Sequence, residues 1–338
     1  MPNGLGASFA RGDGPRAPLG HLTRLGLALR GARDIDEIAS ALLTDVLGLP
    51  GVRRVGLALA EGGGRRLRFV AAGRDDDRPL EWCYIDAYED VPLTTVVRTG
   101  EPIFGGLDDL GGRFTKLVED QRRQSVVALA VVPLPGTGSP IGALILFFDT
   151  EQTFYQAQVR LLEATARRTA DAVRRVRLTG GRNGADTVPA EPEIPEGALT
   201  ASILLEGDPQ ASGAARRFLR ERVAEWAVDR DAADTALLCL SELVTNAVIH
   251  AGTASELRVT VEQGVLTVTV RDLGGLGPKT TVDAEPSGDL DPLRVDGRGL
   301  MLVEALSDRW GSERDVTGTT VWFAVELDGP REPSEQTG

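Results

Sequence analysis

The sequence predicts an α+β protein of two domains. Its 338 residues are enough for about two domains of ~150 residues each. Residues 1–180 carry 23 basic and 22 acidic side chains, whereas residues 181–338 carry 14 basic and 28 acidic ones. Beside this step lie residues 178–197, rich in Pro, Gly, Asp and Glu and almost free of large apolar side chains. Such a segment buries too little surface to offset the entropy of ordering it, so we predict a linker there.

The predicted linker divides the chain into a first domain and a second domain. We place the first domain at residues 20–177 and the second domain at residues 198–328. The ends, residues 1–19 and 329–338, have few large apolar side chains, so we expect a disordered N-terminus and a flexible tail.

Charge and apolar patterning exclude several classes of protein. The net charge of −13 argues against a non-specific nucleic-acid binder, which needs a basic face to displace counterions. The longest apolar runs, 126–134 and 141–148, are far shorter than the ~18–20 residues of a spanning helix. Two isolated cysteines, Cys83 and Cys239, make neither a disulfide framework nor a zinc site. We expect a cytoplasmic protein that contacts neither membrane nor nucleic acid directly.

The first domain alternates helical and strand-like patterns. An apolar helical pattern starts near Leu22, and Asp34 is a suitable N-cap for a helix over residues 35–49. The later elements are strands 52–60 and 67–72, a helix over 91–98, strands 124–133 and 140–149 joined by a hairpin, and an amphipathic helix over 153–176. This order, with the segments VPLTTVVRTGEPIF, VVALAVVPL and IGALILFF, resembles a GAF domain. The resemblance implies an antiparallel sheet with flanking helices, a sensory or dimerising role and an unidentified small ligand.

Two side chains of the first domain could carry chemistry of their own. Cys83, between Trp82 and Tyr84, could attach a chromophore or react with oxidants. No His or Arg stands beside it in the sequence to make the thiol reactive, so we expect a small buried hydrophobe instead, as we do for Cys239. His21 has no flanking acidic residue, so we expect a solvated histidine rather than a phospho-acceptor.

The second domain contains helices and strands around one long irregular segment. The pattern predicts strands at 200–205, 257–261, 265–271, 309–314 and 319–327, and helices at 209–228, 231–251 and 299–306. Residues 273–296 are rich in Gly, Pro and Asp. An irregular stretch of this length within a compact domain is usually a lid or a binding loop.

The segment SELVTNAVIH places three polar residues on one helix face. Glu242, Asn246 and His250 are spaced i, i+4 and i+8. A carboxylate beside a carboxamide could hold a hydrated Mg²⁺ and orient a hydroxyl group or water. The alternative is a solvated polar stripe, in which the macrodipole favours His250 near the helix C-terminus.

The segment RDLGGLG ends a predicted strand at Asp272. Its glycines, Gly274 and Gly277 among them, would let the backbone approach a flat or phosphorylated ligand. A carboxylate at a strand end can accept a hydrogen bond from an exocyclic amine such as that of adenine. The alternative is an ordinary glycine-rich turn.

Two further segments follow in the second domain. In DGRGLMLV, Gly297 and Gly299 lead into a helix, whose N-terminal amides with Arg298 could bind an anion. In GTTVWF, hydroxyls such as that of Thr320 could reach a base or Asp272. Their alternatives are a glycine-rich helix entry and a plain β-strand.

The order ELVTNAVIHA, RDLGG, GRGLMLV and GTTVWF resembles the GHKL ATPase/kinase superfamily. It is most similar to the anti-sigma-factor serine kinase branch, the RsbW/SpoIIAB type. The resemblance implies a Bergerat α/β sandwich, with a mixed, mainly antiparallel sheet and ATP under a lid. It also implies that Asn246 binds Mg²⁺ and that Glu242 acts as general base on the hydroxyl of a protein substrate.

The same resemblance implies the remaining nucleotide contacts. Asp272 would recognise adenine, and Thr320 would support the base. The other implied contacts to the nucleotide come from His250, Gly274, Gly277, Gly297, Arg298 and Gly299. The sequence departs from the family pattern at Leu276, where the first glycine box commonly has glycine, so the start of the lid could be shifted.

These resemblances imply a GAF-regulated serine/threonine kinase and anti-sigma factor. Its substrate would be a STAS-domain anti-sigma-factor antagonist, with a sigma factor as a competing partner. The alternative is a nucleotide-gated switch that binds a partner without phosphoryl transfer. A sensory histidine kinase would need a phospho-acceptor histidine before the ATP module, and residues 178–249 contain none. Because the linker is rich in Pro and Gly, we expect coupling through a homodimer formed by the amphipathic helices rather than through tight contact between domains.

Overall fold

The protein consists of two domains, each built around a six-stranded sheet with helices. The computed structural model describes residues 16–74, 80–179, 197–250, 252–272 and 298–327. The described residues form nine helices and twelve strands in two sheets. The predicted α+β class and the division into two domains are confirmed.

The first domain is an antiparallel sheet with helices on both faces. Its strand order is β3-β2-β1-β7-β5-β4, and every pairing is antiparallel. The elements are α1 (Arg16–Gly31), α2 (Ile35–Leu47), β1 (Val52–Glu61), β2 (Arg66–Gly73), β3 (Cys83–Asp86), α3 (Pro92–Thr99), β4 (Ile103–Gly106), α4 (Leu107–Leu110), α5 (Thr115–Arg123), β5 (Ala128–Leu134), β6 (Thr137–Gly138), β7 (Gly142–Phe148) and α6 (Gln156–Thr179).

Local sequence explains several of these elements. The carboxylate of Asp34 accepts a hydrogen bond from the Glu37 amide at 2.7 Å and caps α2, as predicted. Strands β5 and β7 pair as the predicted hairpin, with Leu134 opposite Gly142. One sheet face packs against α1, α2 and α6, and the other packs against an apolar cluster that includes residues of α3, α4 and α5.

Two expectations for the first domain were wrong. Cys83 is exposed rather than buried, because β3 lies at the sheet edge and pairs only with β2. His21 is buried rather than solvated, and its Nδ1 lies 2.9 Å from Oδ2 of Asp45 on α2. Burial is the main reason that the pKa of His21 is lowered, and the Asp45 carboxylate opposes it. The partner of His21 lies in the next helix, where a search of flanking residues does not find it.

The second domain is a sheet covered on one face by helices. Its strand order is β6-β11-β12-β10-β9-β8, where β6 comes from the first domain. The described pairings are all antiparallel, rather than mixed as expected. The elements are β8 (Leu199–Leu205), α7 (Ala211–Glu225), α8 (Arg230–His250), β9 (Ser255–Glu262), β10 (Val265–Asp272), α9 (Arg298–Leu306), β11 (Arg309–Asp315) and β12 (Gly318–Glu326).

Four predicted segments fall wholly or mostly outside the described residues. They are the lid at 273–296, most of the linker at 178–197, the first fifteen residues and the tail at 329–338. Helix α6 extends to Thr179, within the predicted linker, and α1 begins at Arg16, within the predicted N-terminal segment.

Helix α8 is the central helix of the second domain. By length and composition, its residues Arg230–Ile249 could cross a membrane. Cys239, Leu240 and Val244 are, however, buried in the apolar core of the second domain, and α8 packs against β10 and β12. Burial raises the pKa of Cys239 to about 11. This helix therefore behaves as a core helix, and Cys239 is the buried residue that the sequence predicts.

The second sheet has two faces with different neighbours. We call the face toward α7 and α8 the front face; it carries the apolar side chains of Val268, Val270 and Phe323. We call the opposite face the back face; it carries alternate residues of the same strands, including Trp322 and Thr267. The first domain covers part of the back face, as the contacts of Trp322 with the β1–β2 turn illustrate.

The two domains are in direct contact. Strand β6 lies in the loop predicted as a simple β5–β7 hairpin connection, yet it pairs with β11 through Thr137 opposite Ser312 and Gly138 opposite Gly311. The Ser139 amide extends this pairing with a 2.7 Å hydrogen bond to the carbonyl of Trp310. The expectation of loosely connected domains was therefore wrong, because the contact runs through strand pairing and the back face rather than through the linker.

Candidate functional site

Helix α8 presents two of the predicted site residues together. Glu242 and Asn246 are one helical turn apart and are both half-buried. Leu243 and Val244 lie between them in the core and hold this part of α8 against the sheet. Within the described residues, no N–H or O–H group donates to Glu242, and the Asn246 carboxamide makes no hydrogen bond.

The start of α9 meets this pair at Gly299. A Cβ atom at residue 299 would lie 2.7 Å from Oε2 of Glu242 and 3.4 Å from Nδ2 of Asn246. Real Cβ atoms essentially never approach as closely as 2.7 Å, so a larger residue at 299 would force the carboxylate of Glu242 to move. The first amides of a helix lack partners within the helix and carry partial positive charge. Glu242, Asn246 and these amides thus converge on one place.

Asp272 stands at the end of β10, on the front face. Strand alternation puts its side chain on the same side as Val270 and Val268, toward α8. Gly318, the first residue of β12, packs against Asp272. A Cβ atom at residue 318 would lie 2.1 Å from the Asp272 carbonyl oxygen and 2.8 Å from its Oδ1. Asp272 is half-buried, and no described group donates a hydrogen bond to its carboxylate. Its carboxylate, at the end of this interior strand, can accept a hydrogen bond from a ligand amine.

Thr320 lies on the other face of the sheet from Asp272. It is paired with Arg271, and its Oγ1 accepts a 3.0 Å hydrogen bond from Nη1 of that arginine. By alternation, its neighbour Thr319 is the threonine on the front face with Asp272. The sequence carried the signal for Thr319, because Val321 and Phe323 lie on its side of the strand and contact the core.

Five predicted site residues have no described side chain. Gly274, Gly277 and Gly297 lie outside the described residues. His250 is the last residue of α8 and Arg298 the first of α9, but only their backbone positions are described. Glu242, Asn246 and Gly299 meet at one place, and Asp272 and Thr319 lie at paired strand ends on the same face of the sheet.

The donor set suits Mg²⁺ with a phosphorylated ligand better than a metal held by protein alone. In the part of the chain that is described, no three His, Cys, Asp or Glu residues cluster as metal ligands. The site offers instead the carboxylate of Glu242 and the carboxamide of Asn246. Mg²⁺ characteristically takes one or two protein oxygens and completes its shell with phosphates and water. With the helix start at Gly299 beside them, these residues fit Mg²⁺ and a nucleotide phosphate chain.

Comparison with known families assigns both domains. Residues 205–325 match the family described as the histidine kinase-like ATPase domain, and residues 32–174 match the GAF domain. The chain therefore contains a GAF domain followed by a histidine kinase-like ATPase domain, which implies ATP binding and a regulatory signalling role. A comparison with curated proteins finds no match.

Solved structures with similarity include several GAF domains. The GAF domain of an Acinetobacter phosphoenolpyruvate-protein phosphotransferase is 13% identical, with TM-score 0.38, and the match covers 46% of this chain and 92% of that chain. The GAF domain of a Bacillus halodurans two-component sensor histidine kinase is 16% identical, with TM-score 0.36, and the match covers 43% of this chain and 97% of that chain. A phycocyanobilin-bound GAF domain from a cyanobacterial phytochrome is 14% identical, with TM-score 0.40, and the match covers 48% of this chain and 97% of that chain. The domain assignment rests on the family matches.

Proposed function

We propose that this chain is a GAF-regulated serine/threonine protein kinase and anti-sigma regulatory factor that phosphorylates a STAS-domain anti-sigma-factor antagonist. One observation carries the proposal: Glu242 and Asn246 meet the start of α9 at Gly299. A carboxylate at this place suits a general base for phosphoryl transfer, because it lies beside the helix start proposed to bind phosphate. The four sequence segments that resemble anti-sigma-factor kinases support the choice of branch.

The residues of the site have separate roles in this proposal. Bound Mg·ATP would supply the phosphoryl group. Asn246 would ligate Mg²⁺, Asp272 would accept a hydrogen bond from the adenine amine, and the α9 amides would hold phosphate oxygens. Glu242 would accept the proton of the attacking serine or threonine hydroxyl, which requires only hydrogen-bond reach. Most of the rate enhancement would come from positioning and charge neutralisation.

The contact between the domains supports regulation by the GAF domain. A ligand of the first domain can change kinase activity only if it binds two states of the protein differently. Strand β6 and the back face give the first domain a direct connection to the sheet that carries Asp272. The proposed partners are the STAS-domain antagonist, a competing sigma factor, a small ligand of the GAF domain and a second copy of the chain. We place the protein in the cytoplasm.

Phosphoryl transfer to a partner tests the proposal. The full chain is incubated with Mg²⁺, γ-labelled ATP and STAS-domain proteins from the same genome. We expect label on a serine or threonine of one STAS protein. We expect Glu242→Gln to lower the transfer rate about 10²–10⁴-fold while ATP still binds, and Asn246→Ala to lose Mg·ATP binding. Glu304→Gln, a matched change at an exposed residue of α9, should leave transfer unchanged.

Two outcomes would overturn the kinase assignment. If the wild-type chain binds Mg·ATP but labels no STAS protein, the chain is a nucleotide-gated binding switch. If Glu242→Gln transfers phosphate at the wild-type rate, Glu242 is not the general base.

A further inference from the structure

Arg271 joins the end of β10 to the turn between β11 and β12. Its Nη1 donates to Oγ1 of Thr320 at 3.0 Å, and its Nη2 donates to Oδ2 of Asp315 at 2.9 Å and to Oδ1 at 3.1 Å. Nη2 also donates to the hydroxyl of Thr317. The guanidinium is only 26% exposed, so this is a partly buried clamp on three residues rather than a solvated surface contact.

The carboxylate of Asp315 also closes the turn between β11 and β12. Oδ1 of Asp315 accepts hydrogen bonds from the Thr317 amide at 2.8 Å, from the Thr317 hydroxyl at 2.6 Å and from the Gly318 amide at 3.1 Å. Burial acts to raise the pKa of Asp315, but the hydrogen bonds from Thr317 and Arg271 outweigh it and lower the pKa. The carboxylate therefore stays charged at neutral pH and holds Gly318 in place.

Gly318 links the position of the β11–β12 turn to that of Asp272 on the front face. Its α-carbon is packed so closely on Asp272 that a Cβ would lie 2.1 Å from the carbonyl oxygen of Asp272. Arg271 and Asp272 are consecutive, so the clamp on the back face and the carboxylate on the front face share one backbone segment. Any shift of the turn therefore moves Asp272 and Thr319 relative to α8.

We propose that Arg271 is a positioning residue for base recognition in the nucleotide site. It fixes the separation of the strand ends that carry Asp272 and Thr319, and so determines how strongly the site prefers adenine. This inference rests on the proposed nucleotide site and adds the residue that sets its base selectivity. Lysine cannot replace arginine here, because an ammonium group lacks the planar fork that reaches Asp315, Thr317 and Thr320 together.

Three ligands separate base recognition from phosphate binding. Affinities for ATP, GTP and inorganic tripolyphosphate, each with Mg²⁺, are measured by calorimetry on the full chain. We expect Arg271→Lys to reduce the preference for ATP over GTP about tenfold, equivalent to about 1.4 kcal/mol, with unchanged affinity for tripolyphosphate. Asp315→Asn breaks the clamp from the other side and should give the same pattern.

The matched control is Arg222→Lys. Arg222 lies in α7, pairs with Glu225 at 2.7 Å and is 30% exposed, so it is as buried as Arg271 but outside the clamp, and its substitution should leave the ATP preference unchanged. An unchanged preference in Arg271→Lys and Asp315→Asn overturns the inference, as does an equal loss for all three ligands. If the wild-type chain binds none of the three ligands, the nucleotide site itself is wrong, which is a distinguishable result.

Discussion

The two faces of the second sheet are built from alternate residues of the same strands but have different chemistry. The front face is apolar beneath α7 and α8, with Asp272 at the end of β10 on that face and with Glu242 and Asn246 of α8 against the start of α9. The back face combines the buried ring of Trp322 with charged groups contacted by the first domain. The back face receives the first domain, and our proposal assigns ligand binding to the front face. Because alternate residues of each strand belong to opposite faces, a displacement at the back face also moves residues of the front face.

Charged pairs make the back-face contact unlike an ordinary core. Arg65, in the β1–β2 turn, lies 3.6 Å from Glu262 of β9, and both side chains are about 8% exposed. Arg177, near the end of α6, lies 2.8 Å from Glu313 of β11. Glu313 is opposite Thr320 in the sheet, and Thr320 accepts from Arg271. The ion pair of Arg177 with Glu313 therefore lies one cross-strand position from the clamp beside Asp272.

The largest effect is expected from removing the apolar part of the back-face contact. The Trp322 ring is 4% exposed, and the β1–β2 turn packs against it at Gly63 and Gly64. Trp322→Ala should lower the free energy of unfolding by about 3–5 kcal/mol, measured by urea denaturation. Tyr155→Ala, at a 70% exposed aromatic residue, is the control. Similar small losses in both variants would show that the domains do not rely on this contact.

A smaller effect is expected on the front face at Gly299. The added Cβ of Gly299→Ala meets the flexible end of Glu242, which can move aside at little cost to stability. Moving that carboxylate should reduce phosphoryl transfer about tenfold, while the unfolding temperature stays close to wild type. Gly213→Ala, in helix α7 with only Arg217 nearby, should keep full activity. Unchanged transfer in Gly299→Ala would separate Glu242 from the reaction.

The buried Glu262 predicts a pH dependence of the back-face contact. Burial raises the pKa of Glu262 above its ordinary value of 4.5, although Arg65 and Arg66 oppose the shift. Asp86 of the first domain adds to it. A raised pKa in the folded state means that this contribution to stability is present below pH 4.5 and is lost as pH rises through the folded pKa.

Urea denaturation at a series of pH values from 4.5 to neutral tests the direction of this change in stability. Relative to Glu262→Gln, the wild-type chain should lose stability as the pH rises. A difference between the two proteins that stays constant over the series, or that grows with pH, would contradict the assignment of this shift to Glu262.

The smallest effect concerns the two cysteines. Cys83 is exposed on β3, whereas Cys239 is buried in α8 with a pKa of about 11. A thiol reagent should therefore modify one cysteine of the native chain, and Cys83→Ser should abolish the reaction. The same substitution should change the free energy of unfolding by less than about 0.5 kcal/mol. Labelling of Cys239 at a comparable rate would mean that α8 is not held in the core as described.

Local patterns predicted more of the second domain than of the contact between domains. Helical spacing placed Glu242 and Asn246 on one face, and glycine before an apolar helix located the start of α9 near residue 299. The pairing of β6 with β11 joins residues far apart in sequence, in a loop that reads as an ordinary hairpin connection. Strands β3 and β4 and helices α4 and α5 are short and were not predicted, because tertiary packing rather than periodicity stabilises them.

The sequence pattern of β12 contained enough information to assign its threonines to the correct face of the sheet. Thr320 was predicted to support the base, but pairing with Arg271 places it on the back face. Counting alternate positions back from Phe323 leads to Thr319 instead. The environments of His21 and Cys83 could not be predicted in this way, because they depend on how separate elements pack. Asp45, the partner of His21, lies in the next helix, and Cys83 lies in an edge strand of the first sheet.

Binding of Mg·ATP to the full chain tests the central claim most directly. Calorimetric titration of the wild-type chain is compared with that of Asn246→Ala, after circular dichroism has shown that both are folded. We predict saturable binding of one nucleotide per chain by the wild type and its loss in Asn246→Ala. Absence of binding by the folded wild-type chain, or equal binding by both proteins, would contradict the claim that the front face holds a Mg·ATP site.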